Sequence, residues 1–96
     1  EAANIPVPLE AEQELHRRGV VVLPDFLVNG GAAATYGLLL TQAWSRKEDL
    51  LREVLHRIVG GTTEVVERSL EEGRAPRDVA VELAKSRLRP PEPLPP

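Results

Sequence analysis

Two asparagines beside turns stand out in a chain with few side chains suited to catalysis. Asn4 lies in Ala3-Asn4-Ile5-Pro6, and Asn29 lies in Pro24-Asp25-Phe26-Leu27-Val28-Asn29-Gly30-Gly31, each just ahead of a helix-forming stretch. A side-chain amide carries a donor and an acceptor together, the pairing that a carboxamide or a ribose hydroxyl needs. Gly30 and Gly31 leave room for a backbone to approach a ligand, and a strand-to-helix turn is where α/β proteins bind such ligands. If the segments before Asn4 and after Gly19 are neighbouring parallel strands, both asparagines face one ligand. The spacing fits equally well with two ordinary turns, in which each asparagine caps its own turn and the glycines supply unusual dihedrals.

Other chemistry-bearing residues are scattered. His16 and His56 fall on different helical stretches with no ligand at metal spacing, and the chain has no cysteine, so no metal site is expected. The acidic pairs Glu48-Asp49 and Glu71-Glu72 read as solvated helix faces, and no Ser-His-Asp arrangement follows from spacing. No catalytic residue is assigned within the chain.

The elements that must hold the two turns are mostly helical. From Pro8 to Gly19 acidic residues come first and basic ones last, with Leu9, Ala11 and Leu15 apolar, which suits a short helix stopped by Gly19. Val20-Val21-Val22-Leu23 is a continuous apolar run between Gly19 and Pro24, the pattern of a strand buried on both faces. A helix is expected over residues 32–40. Ser45 and Glu48 form a potential capping box for a long helix, in which Leu50, Leu51, Val54, Leu55, Ile58 and Val59 recur at helical spacing. Val65, Val66, Ser69 and Leu70 resume the same face beyond Gly60-Gly61. Gly73 ends this helix, and Pro76 opens a last one with Val79, Ala80, Leu83 and Leu88 as its stripe. The expected fold class is an α/β fragment, mostly α, with one or two short parallel strands and about four helices. Residues 1–88 make up this fragment with its C-terminal helices, and 89–96 a proline-rich, extended and flexible tail.

At 96 residues the chain is one domain at most. A net charge of −3, with no basic stripe, argues against nucleic acid as a partner, and no apolar run reaches the length of a membrane span. Nothing resembles a signal peptide, which suggests a cytoplasmic setting. The start at Glu1 without a methionine suggests a truncation.

Taken together, Glu1-Ala2-Ala3-Asn4-Ile5-Pro6 and the Pro24 to Gly31 turn ahead of a small-residue helix resemble the C-terminal part of the glutamate, leucine, phenylalanine and valine dehydrogenase family. Arg74-Ala75-Pro76-Arg77-Asp78-Val79-Ala80 is similar to that family's penultimate turn and last helix, so the resemblance covers about residues 1 to 88. It implies part of a Rossmann-like domain for NAD or NADP, with Asn4 near the nicotinamide ribose and Asn29, with Gly30 and Gly31, near the nicotinamide carboxamide. Thr35 is the nearest equivalent of the family's substrate-side residue.

The family's catalytic lysine and aspartate and its Gly-x-Gly-x-x-Gly phosphate turn have no counterpart in these residues. The chain is therefore expected to bind cofactor weakly at best and to be inactive alone. Its expected partners are the missing N-terminal part of such an enzyme, a homologous subunit, or a second copy of itself through the Leu50 to Leu70 stripe. The alternative is a small, non-catalytic helical interaction module derived from that family.

Overall fold

A computed structural model of the chain describes residues 1, 3–42 and 44–88. Five helices follow one another among them: α1 (Leu9–Arg17), α2 (Asp25–Val28), α3 (Gly31–Thr41), α4 (Lys47–Glu72) and α5 (Pro76–Arg87). The proline-rich segment 89–96, expected to be an extended tail, lies outside the described residues.

The helix boundaries follow local chemistry at several points. Gly19 and Gly73 take φ of 79° and 64°, the left-handed region where a Cβ is penalised. After each, a backbone N–H reaches back five residues: Val20 donates to the Leu15 carbonyl at 2.9 Å and Arg74 to the Ser69 carbonyl at 3.1 Å. These bonds close α1 and α4 in the manner of a Schellman motif. Ser69 Oγ also donates to the Arg74 carbonyl at 2.5 Å, which locks the exit of α4. Pro76 opens α5, where the missing N–H costs nothing. The expected capping box does not form: α4 starts at Lys47 with Arg46 in the cap position and no side-chain cap, leaving Ser45 one residue too early.

Helix α4 runs unbroken for 26 residues through Gly60-Gly61 and is the scaffold on which α2, α3 and α5 lean. Two apolar clusters lie along it. Leu38, Leu50 and Val54 are buried with Ala34, Trp44 and Ile58 packed beside them, joining α3 to the first half of α4. Trp44 Nε1 donates to the Leu38 carbonyl at 3.1 Å, so the indole is both packed and satisfied. Val65, Val79 and Ala80 are buried with Leu27 and Leu83 beside them, joining the second half of α4 to α5 and α2. Gly61 faces Leu27, and a Cβ there would meet that side chain at an ordinary contact distance of 3.8 Å, so the approach does not depend on the glycine. At the rim, Arg68 and Arg74 share Glu72 and Glu82 through contacts of 2.8 to 3.0 Å, tying the end of α4 to α5.

The expected α/β class is overturned, because the described residues contain no strand and the fold is helical. Val20-Val21-Val22-Leu23 forms neither strand nor helix, with Val20 44% and Val21 45% exposed. A parallel strand needs a hydrogen-bonded neighbour, and the segment finds no strand beside it. The expected stripe of the last helix is also shortened: Val79 and Ala80 are buried, but Leu88 lies past the end of α5 and is 74% exposed. On α1 the buried side chain is Glu12, while Leu9 is 55% exposed.

Candidate functional site

The two asparagine turns meet. Asn29 Nδ2 donates to Asn4 Oδ1 at 2.8 Å, and both residues are exposed. Asn29 does not cap α3, whose cap position is Gly30 with no side-chain bond. With one amide hydrogen bond made between them, Asn4 retains its Nδ2 donors and Asn29 its Oδ1 acceptor toward solvent. This leaves a donor beside an acceptor on one surface.

Asp25, the first residue of α2, holds both turns. Its Oδ2 accepts from the Ile5 N–H at 2.9 Å and its Oδ1 from the Phe26 N–H at 2.8 Å. Its backbone carbonyl accepts from the Asn29 N–H at 2.7 Å. Ile5 has φ of 48°, a left-handed conformation rare for a β-branched residue, so the bond from Asp25 secures a strained residue next to Asn4. The Ile5 N–H, foremost, together with the Phe26 N–H and the Arg77 charge, holds the Asp25 carboxyl below its ordinary value of 3.8, against the opposing effect of desolvation.

Behind the turns sits a cluster of charge. Arg77, near the start of α5, donates from Nε to both carboxylate oxygens of Glu12 at 2.9 Å and from Nη2 to Glu1 Oε2 at 2.9 Å. Glu1 Oε2 also accepts from the Asp25 N–H at 2.8 Å. The Arg77 guanidinium lies 5.5 Å from the Phe26 ring centroid and 4.0 Å from Asp25 Oδ1. An open recess of 260 Å³ borders the cluster, lined by Ile5, Val7, Leu9, Glu12, Asp25 and Arg77.

The remaining residues expected at the site are nearby but differently employed. Gly30 and Gly31 have no positive φ. They join α2 to α3, and a Cβ on Gly31 would make only an ordinary van der Waals contact with Ile58 at 3.6 Å, so neither an unusual turn nor close packing requires this glycine. Thr35 is half-buried one turn into α3, where its hydroxyl donates to the Gly31 carbonyl at 2.8 Å. Asp25, Glu12 and Arg77 were not singled out from sequence. For Glu12 the signal was its place midway between Leu9 and Leu15 on the apolar side of α1. No group of three or more residues able to hold a metal occurs among the described residues. None of their helices is long and apolar enough to cross a membrane.

The chain matches a protein-family model. The model described as Glutamate/Leucine/Phenylalanine/Valine dehydrogenase fits residues 1–89. No curated protein and no solved structure matches the chain.

Proposed function

Because the chain belongs to the glutamate/leucine/phenylalanine/valine dehydrogenase family, we propose that it is the C-terminal, cofactor-facing part of an NAD(P)-dependent amino-acid dehydrogenase. When bound, the nicotinamide would supply the hydride acceptor for oxidative deamination of an amino acid. The residues of this chain bind and orient it. The observation that carries the reading is the Asn4–Asn29 pair, joined at 2.8 Å with a donor and an acceptor left over. A carboxamide presents the complementary acceptor and donor, and a ribose hydroxyl can engage either group. Asn4 is assigned to the ribose side and Asn29, flanked by Gly30 and Gly31, to the carboxamide side, with Thr35 toward the substrate.

Catalytic groups are not assigned to this chain. Base, acid and phosphate cradle belong to the partner that completes the enzyme, so the chain alone is expected to be inactive and to bind cofactor weakly. A cytoplasmic setting is part of this reading. Titrating NAD⁺ against the chain tests it. Binding in the millimolar range or tighter that is lost on Asn29→Ala supports a cofactor-facing turn, and the absence of binding contradicts it.

A second reading, a non-catalytic helical interaction module, is favoured by one observation. Leu51, Leu55, Val59 and Leu70 are 52%, 61%, 60% and 67% exposed along one side of α4. A recess of 460 Å³ opens midway along it between Ile58 and Glu67. In the first reading the rest of the enzyme covers this side. In the second, another copy of the chain does, with two α4 helices running antiparallel so that exposed Arg52 of one faces exposed Glu67 and Glu71 of the other.

A further inference from the structure

We propose that Arg77 is a positioning residue, which acts through Glu1, Glu12 and Asp25 to hold the Asn4 and Asn29 side chains in one pair. Its consequence for cofactor binding rests on the cofactor-facing reading above. The anchor is rigid: Arg77 precedes Val79 and Ala80, which are 0% and 4% exposed in the core shared with α4. From there its fork spans two carboxylates, with Nε on Glu12 and Nη2 on Glu1. Glu1 passes the constraint to Asp25 by accepting its N–H.

Asp25 then touches both turns. Its carboxylate holds the Ile5 N–H, one residue from Asn4, and its carbonyl accepts the Asn29 N–H. The Glu1, Glu12 and Asp25 side chains are only 2%, 5% and 14% exposed around the single guanidinium. Without the cation, three close carboxylates repel one another and the turns they carry move apart. Lysine keeps the charge but cannot reproduce a planar fork that reaches Glu12 and Glu1 together beside the Phe26 ring.

The test uses the 96-residue chain labelled with ¹⁵N, in three forms: native, Arg77→Lys and the control Arg74→Lys. Arg74, in the link between α4 and α5, binds Glu72 and Glu82 and none of Glu1, Glu12 or Asp25, so its replacement perturbs the same helix junction without removing a bond to the turns. The readouts are the melting temperature, the separation of the two Asn29 side-chain amide proton signals without ligand, and the dissociation constant for NAD⁺. In the native chain the bonded and free amide protons are well separated. In Arg77→Lys they converge and NAD⁺ binding weakens about tenfold, as expected if the pair is formed about a tenth of the time. Arg74→Lys changes the melting temperature alone.

A folded Arg77→Lys chain with native Asn29 signals overturns the proposal. So does equal convergence in Arg74→Lys, which marks a general loss of packing. If Arg77→Lys fails to fold, Glu12→Gln loosens the same clamp while retaining the guanidinium, and native Asn29 signals in that variant also overturn it. A native chain that shows separated Asn29 signals but no response to NAD⁺ contradicts the cofactor reading. The positioning claim is then still decided by the ligand-free spectra.

Discussion

The Asn29 side chain donates to Asn4 Oδ1 at 2.8 Å across 25 positions of sequence. Two short turns with no helix or strand in common are thereby joined, and the joint faces outward. The bond itself is exposed and contributes little to stability, so its structural cost of removal is small. Replacing Asn29 by Ala is expected to lower stability by no more than about 1 kcal/mol. The same change is expected to weaken NAD⁺ binding about tenfold or more, equivalent to about 1.4 kcal/mol. Urea denaturation and calorimetric titration of the same samples separate the two effects.

Ile5 carries the strain next to this pair, with φ of 48° on an exposed β-branched residue. Glycine adopts that conformation freely, so Ile5→Gly is expected to stabilise the chain, by about 1 kcal/mol after its own entropic cost. A rise in the urea midpoint with an unchanged slope checks this.

Acid is expected to open the site from Asp25. Its folded carboxyl titrates below the ordinary value of 3.8, foremost because the Ile5 N–H binds the charged form. A depressed folded value means that the stabilising contribution is present above pH 3.8 and is lost as the pH falls through the folded value. Following the Ile5 amide and Asn29 side-chain signals from neutral pH downward should show them changing together below pH 3.8. In Asp25→Asn both should be displaced already at neutral pH.

The exposed side of α4 predicts association. Leu55→Glu places a charge on a residue that is 61% exposed and outside the two buried clusters. If two α4 helices pair, sedimentation should show a concentration-dependent dimer in the native chain and a monomer in the variant, with helicity unchanged. Val65→Ala is the contrasting change: Val65 is 1% exposed in the α4–α5 core, and its truncation is expected to cost about 1–3 kcal/mol.

Much of the helical framework was legible because it is written in neighbouring residues. Gly19 and Gly73 stop helices through their own dihedrals, Pro76 starts one, and the apolar period from Leu50 to Leu70 carries α4 through two glycines. The strand at Val20 to Leu23 was misread for the opposite reason. Its β-branched composition favours extended backbone, but whether a strand forms depends on a neighbour elsewhere in space. Glu12 and Arg77 were missed because their bond spans 65 positions, a separation at which helical periodicity says nothing about pairing. Asn4 and Asn29 were recognised as residue types beside turns, whereas the clamp that brings them together depends on Asp25 and α5.

The most direct test follows the side-chain amide signals of Asn4 and Asn29 while NAD⁺ is added to the labelled chain. The cofactor-facing assignment predicts that both shift together and saturate on one binding curve, with Gly30 and Gly31 amides following. Unchanged Asn4 and Asn29 signals at millimolar NAD⁺, or shifts confined to the apolar side of α4, would contradict it.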